Sequence, residues 1–373
     1  MPKSTWQTGV KAGATAVVAG SSAGTLSWVA YSYLMSQATA ARGVIGRNVA
    51  KPPEADGVYA PGSADVERWR RGAPFDLHLM IFGDSTAAGV GCLTAEEVPG
   101  VQIARRLADE TGKRVRLSTK AIGGATSRGL SGQVDAMFVA GPPPDAAVIL
   151  VGANDVTAKN SIRASAHRLG EAVARLREHD CAVVVGTCPD LGVVTAIPQP
   201  LRTVVRTWGL RLARAQAVAV TAAGGHPVAL ADLLAREFLA APDRMFSADH
   251  FHPSAAGYEL AAMQIVPVLA TALGMWHGGP LPDLPEVSEA AEARKFSTRT
   301  LASLNRFLWR RAARRVASTT FSESRRRRRR ESGRPPSETE ISAHGGDDVG
   351  CLNSHEIGGL QHSADLRSRQ RSY

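Results

Sequence analysis

The chain has 373 residues, 44% hydrophobic and 21% charged, a balance that provides for a globular core and excludes whole-chain disorder. Its four cysteines, Cys92, Cys181, Cys188 and Cys351, are too few and too scattered for a disulfide scaffold, and no Cys-x-x-Cys pair points to zinc. The net charge of +10 belongs to one end: residues 291–373 hold 18 of the 44 Lys and Arg and 9 of the 34 Asp and Glu, leaving residues 1–290 nearly neutral at 26 against 25.

In chain order, the first feature is an uncharged run from Ala12 to Met35, between Lys11 and Arg42. As a helix, its 24 residues would span about 36 Å, enough to cross a hydrocarbon layer of roughly 30 Å. Lys3 and Lys11 form a basic leader, and Ala38-Thr39-Ala40 offers an Ala-x-Ala cleavage site. Residues 1–47 therefore read as a signal anchor or signal peptide, which implies a membrane-associated or exported protein of the cell envelope. The competing reading is a helix packed on the body. Flanking charges are similar on both sides and leave orientation open.

Residues 48–76, with Pro52, Pro53, Gly57, Pro61, Gly62 and Pro74, read as a linker. Residues 77–275 then alternate in the α/β manner. Apolar runs at Leu77–Phe82, Val115–Ala121, Ala146–Val151 and Ala182–Val185 predict buried strands. Helical stretches are predicted at Ala95–Thr111, Arg128–Val139, Ile162–His179, Pro200–Ala223 and Ala255–Leu273. Strand and helix in turn, with short Gly-rich connections, predict a parallel, doubly wound sheet. Cys181 and Cys188 bracket one predicted strand, which would hold them roughly 20 Å apart and unable to bridge.

Residues 276–321 read as a second linker and a basic amphipathic helix, with Leu301, Leu304, Phe307 and Leu308 beside Arg310, Arg311, Arg314 and Arg315. Such a helix suits an anionic membrane surface or the domain's own flank. Residues 322–373, including the six arginines Arg325–Arg330, are polar and predicted to be disordered.

Ligands of parallel sheets collect at the carboxyl ends of the strands, so the residues after each predicted strand matter most. The first strand is followed by Gly83-Asp84-Ser85-Thr86. A serine there can present its hydroxyl and its own N–H to one point, or it can merely cap a helix. The second leads into Ile122-Gly123-Gly124-Ala125-Thr126-Ser127, where backbone N–H groups can approach a ligand or simply turn. The third leads into Gly152-Ala153-Asn154-Asp155, where a carboxamide can donate to an oxyanion or serve a turn. Before the last helix stands Asp249-His250-Phe251-His252-Pro253. Asp249 and His252 are three apart, close enough for the carboxylate to hold the imidazole Nδ1–H and leave Nε2 as a base. A metal reading of Asp249, His250 and His252 has no further cluster to complete it.

In this order the four blocks resemble those of the SGNH hydrolases, the GDSL esterase/lipase family, and the actinobacterial-type composition with an N-terminal apolar segment is similar to its exported mycobacterial members. The nucleophile block matches at Gly83-Asp84-Ser85, with Thr86 where the family motif has Leu. The glycine block matches at Gly124, the Gly-x-Asn-Asp block at Gly152–Asp155, and the Asp-x-x-His block at Asp249–His252. The resemblance covers roughly residues 77–273. It implies a flavodoxin-like three-layer α/β/α sandwich and a serine esterase that works through an acyl-enzyme without metal or organic cofactor. Ser85, His252 and Asp249 would be the triad, and Ser85, Gly124 and Asn154 the oxyanion hole. The implied partner is a small ester, with short acyl groups favoured and both carbohydrate O-deacetylation and lipid esterolysis open. A membrane-tethered binding protein on the same fold is the alternative from another class. Nucleic-acid binding through the Arg run is disfavoured by the neutral body and a tail without interleaved aromatics.

Overall fold

Short apolar runs, bounded by glycine or turn residues, form the sheet. The structure, a computed structural model, describes residues 31–40, 43, 51–279 and 281. The expectations for residues 1–30, for the basic helix and for the Arg-rich tail lie outside the described residues. The strands are β1 (Gly57–Tyr59), β2 (Val66–Glu67), β3 (Leu77–Gly83), β4 (Val115–Thr119), β5 (Ala146–Leu150), β6 (Ala182–Gly186) and β7 (His226–Val228). They hydrogen-bond in the order β2-β1-β4-β3-β5-β6-β7. Strands β4, β3, β5, β6 and β7 run parallel, and β1 lies antiparallel to both β4 and β2. Counting the parallel strands alone gives the order 2-1-3-4-5, the flavodoxin-like winding, whose switch point falls between β3 and β5.

Because side chains alternate along a strand, each central strand feeds two cores. Leu79, Ile81, Val148 and Val184 face one, which is completed by α3 (Pro99–Thr111), α8 (Leu230–Ala240) and α10 (Ala255–Ala272). Met80, Phe82, Ile149 and Val185 face the other, covered by α4 (Leu130–Ala140) and α6 (Ile162–Arg177), with Val220 of α7 (Leu201–Ala222). The result is three layers, α/β/α. Among the described residues α10 has the length and apolarity to cross a membrane, but Ile265, Val266 and Leu269 are buried in the first core.

Several expectations change. The segment 48–76 was expected to be a linker, yet it adds β1 and β2 to the sheet: Val58 and Tyr59 are buried, and the Tyr59 hydroxyl donates to Ala55 O. The Pro and Gly residues around these strands punctuate them without preventing pairing. The predicted helix Ala95–Thr111 is broken at Val98, which is extended because it precedes Pro99; a 3₁₀ turn covers Ala95–Glu97 and α3 begins at Pro99. Strand β7, α8 and the short α9 (Pro242–Met245) were not anticipated. Cys181 and Cys188 are free and buried on either side of β6. Residues 31–40 form helix α1, held to the body where Gln37 Nε2 donates to Gln199 O (2.6 Å) and Gln37 Oε1 accepts from Leu201 N–H (3.2 Å).

Past their carboxyl ends the strands give way to loops, and some backbone groups there need partners outside the ladder. Two buried glutamines supply them. Gln133 of α4 accepts from Gly83 N–H and donates to Gly83 O, both at 2.8 Å. Gln216 of α7 donates to Val151 O (2.9 Å) and accepts from Cys188 N–H (2.7 Å), which joins the ends of β5 and β6. Leaving a buried backbone group unsatisfied costs about 1–3 kcal/mol. Gln216→Met, nearly isosteric, strands two such groups and should lower unfolding free energy by about 2–4 kcal/mol in a urea melt. A change below about 0.5 kcal/mol would mean that these groups find other partners.

Candidate active site

The site grows out of the switch point between β3 and β5. Gly83 ends β3 with φ 135°, and a Cβ there would lie 1.9 Å from Leu150 O, so only glycine lets the two strands come this close. Asp84 then caps the four-residue helix α2 (Ser85–Ala88), its carboxylate accepting from Thr86 N–H at 2.9 Å. The cap and the candidate nucleophile are thus different residues: Asp84 does the capping, and Ser85 is left to project from the first helical position. Burial pushes the Asp84 carboxyl up to about 6, against hydrogen bonds from Thr86 and Gly152 N–H and the charge of His252.

Gly152, with φ 148°, closes the end of β5; a Cβ there would meet Cys188 Cβ at 2.9 Å. It starts α5 (Ala153–Thr157), whose second residue is Asn154. Asn154 Nδ2 donates to Ala125 O at 3.0 Å, so one amide hydrogen ties the two loops and the other remains for a ligand. Gly124 is exposed at φ 79° in the turn that Ala125 N–H closes onto Ile122 O.

The fourth block completes the line. His252 Nε2 lies 2.9 Å from Ser85 Oγ, and His252 Nδ1 lies 2.5 Å from Asp249 Oδ2. A carboxylate only accepts, so Nδ1 carries the proton and Nε2 accepts from the serine hydroxyl. The other Asp249 oxygen accepts from Ser247 Oγ (2.9 Å), Phe251 N–H (2.8 Å) and His252 N–H (2.9 Å). His250 sits between at φ 54° and is exposed. Among the described residues no group of three or more His, Cys, Asp or Glu is placed to hold a metal. Burial pushes the Asp249 carboxyl up, but the hydrogen bonds from His252 and Phe251 and the His252 charge outweigh it and hold it at about 2.

Against Asp84 and Thr86, the chain neighbours of Ser85, an apolar cavity of about 90 Å³ opens among Ala153, Leu191, Phe238, Phe246 and Phe251. Phe238 and Phe246 meet edge to face at 4.9 Å, and Phe251 stands edge-on to His252 at 5.0 Å. The sequence reading missed this cavity. Its one legible signal was the spacing of Leu230, Leu234 and Phe238, a single helix face in a segment not assigned as a helix.

Residues 81–260 match the model of the GDSL-like Lipase/Acylhydrolase family. The GDSL-like esterase Rv1075c of Mycobacterium tuberculosis is 64% identical over 252 residues, which is 68% of this chain and 80% of that one. The chain belongs to the GDSL-like lipase/acylhydrolase family. As a GDSL-type enzyme it is a carboxylic ester hydrolase. Solved structures similar to this GDSL-family chain include TesA (23% identity, 52% of this chain and 99% of that chain, TM-score 0.40). Another is the lipase/acylhydrolase from Enterococcus faecalis (22% identity, 55% and 100%, TM-score 0.40).

The depressed Asp249 value has a signed consequence. A carboxylate held below its ordinary value of 3.8 adds stability above that pH, and loses the contribution as pH falls toward about 2. Asp249→Asn should therefore lose less melting temperature than wild type between pH 4 and pH 2. Parallel losses in thermal melts over that range would contradict the ionised, hydrogen-bonded carboxylate.

Proposed function

We propose that the chain is a serine esterase with a Ser85–His252–Asp249 triad, acting on esters of short acyl chains through an acyl-enzyme. The observation that carries this reading is the unbroken line Ser85 Oγ, His252 Nε2, His252 Nδ1, Asp249 Oδ2, with links of 2.9 and 2.5 Å. Ser85 Oγ attacks the ester carbonyl carbon while His252 Nε2 takes its proton. Asp249 holds the ring and stabilises the imidazolium. The carbonyl oxygen, now anionic, takes hydrogen bonds from the N–H groups of Ser85 and Gly124 and from Asn154 Nδ2. The C–O bond to the alcohol breaks, His252 returns the proton to the leaving oxygen, and water repeats the sequence on the acyl-enzyme.

The cavity lined by Asp84 and Thr86, on either side of Ser85 in the chain, supports the short acyl chain. Its volume of about 90 Å³ is below the roughly 150 Å³ of an engineered apolar cavity that takes up benzene, which suits a tail of a few carbons. In a panel of p-nitrophenyl esters, kcat/KM should fall once the acyl chain passes about four carbons. On the best of these substrates Ser85→Ala should lose on the order of 10⁵–10⁶ in kcat with the fold intact. A folded Ser85→Ala retaining a tenth of wild-type kcat would sink the serine mechanism, and a flat chain-length profile would sink the short-chain reading.

The N-terminal run and the basic tail fit location at a membrane or envelope surface. Between anchor and cleaved leader, Gln37 favours the anchor, because cleavage after Ala40 would remove the side chain that holds α1 to Gln199 and Leu201. The intact mass of protein purified from its native membranes should include residues 1–40. A mature chain beginning at Ala41 would show the segment to be a leader.

A further inference from the structure

Immediately after Asn154 stands a carboxylate that the proposed mechanism does not use. Asp155 is buried, with 1% of its surface exposed, and each hydrogen-bond partner identified for its carboxylate is a neutral donor. Oδ2 accepts from Ser127 N–H at 2.8 Å. Oδ1 accepts from the hydroxyls of Ser127 and Ser165, both at 2.8 Å, and from Asn160 Nδ2 at 3.0 Å. Burying a charge is costly unless hydrogen bonds replace its water, and four donors at this spacing supply that replacement.

The partners show what the carboxylate joins. Ser127 follows Gly124 by three residues and starts the 3₁₀ turn Ser127–Gly129, which leads directly into α4. Ser165 lies in the first turns of α6, whose N-terminus Ser161 caps. Asp155 itself is on α5, next to Asn154. One carboxylate therefore fastens the glycine loop to the asparagine loop and fastens both to the scaffold. A second rung, Asn154 Nδ2 to Ala125 O, crosses the same gap. The carboxamide plane of Asn154 depends on where Ala125 O stands. That in turn depends on the loop that Asp155 grips two residues further on.

We propose that Asp155 is a positioning residue of the oxyanion hole, setting the distance between Gly124 N–H and Asn154 Nδ2 by clamping Ser127 to α5. The proposal rests on the reading of Gly124 and Asn154 as oxyanion donors. Asp155 touches neither substrate nor nucleophile; it acts through the donors. Hydrogen bonds that strengthen as charge develops are sensitive to misplacement of their donors, whereas ground-state binding of a neutral ester is not. Loosening the clamp should therefore lower kcat and spare KM.

The test is a double-mutant cycle in kcat and KM on p-nitrophenyl acetate, using the full chain and the variants Asp155→Asn, Asn154→Ala and both together. Asn154→Ala should cost about 10²–10³ in kcat. Asp155→Asn should cost about 10–100-fold in kcat with KM within about twofold, and less than about threefold further once Asn154 is gone. Equal losses in both backgrounds, or a change confined to KM, would overturn the positioning role while leaving the oxyanion reading standing. An unchanged kcat in Asn154→Ala would overturn the oxyanion reading, and the positioning role with it. Should Asp155→Asn fail to fold, Ser127→Ala, which removes one hydroxyl and keeps the backbone bond, takes its place. It should lower kcat severalfold at constant KM and lose that effect in the Asn154→Ala background; no change in kcat would overturn the proposal.

Discussion

Every strand of a parallel sheet must stop, and at its carboxyl end the last N–H and C=O groups have no ladder partner and little water. Backbone polar groups in that position have to be paired by something else. Here buried side chains do it. Gln133 pairs Gly83, Gln216 pairs Val151 and Cys188, and Asp84 accepts from Thr86 N–H. Asp155 accepts from Ser127 N–H in the same way. These residues also fix the loops that carry Ser85, Gly124 and Asn154. Satisfying the sheet edge and aligning the candidate catalytic groups are therefore one requirement. It accounts for the burial of Asp84, Gln133, Asp155 and Gln216 in an otherwise apolar core.

The winding adds a second constraint. At the switch point the connections from β3 and β5 depart to opposite faces, which opens the crevice in which ligands of such sheets bind. Gly83 lets β3 and β5 approach closely, with no room for a side chain between its Cα and Leu150 O, and Gly152 lets the end of β5 lie against Cys188 beyond β6. The His252 segment arrives from the far end of the domain. It is shaped by Asp249, which gathers three donors on one oxygen and orients the imidazole with the other.

Much of this was legible in the sequence because the central strands are uniform apolar runs and the motif blocks follow them directly. The strands β3 to β6 could be read from local pattern, and the candidates Ser85, Asn154, Asp249 and His252 from the four blocks taken together with the family resemblance they carry. The edge strands β1 and β2 could not, since strands of three and two residues among prolines carry no usable periodicity and exist only because β4 offers a free edge. Strand β7, with Pro227 in its middle, is hidden for the same reason. Helix α8 was legible in its Leu230, Leu234, Phe238 spacing and was overlooked. The supporting residues Gln133 and Gln216 had no signal at all, and Asp155 stood in the Gly-x-Asn-Asp block without a role of its own. A buried glutamine or aspartate looks like a surface one until the chain positions it against an unpaired peptide group. Gly-Asp-Ser carried two readings, cap and nucleophile; the cap falls to Asp84, which leaves Ser85 free for the proposed nucleophile.

The central claim is that one serine, activated along the line to Asp249, carries the chemistry. Reaction with a p-nitrophenyl phosphonate diester tests it most directly, because the phosphorus centre is attacked as an ester carbonyl would be and the adduct does not turn over. Released nitrophenolate should reach one equivalent per chain as esterase activity falls to zero, and peptide mapping should find the phosphonyl group on Ser85. Full activity with Ser85 unmodified at saturating reagent, or inactivation with the adduct on another residue, would contradict the account.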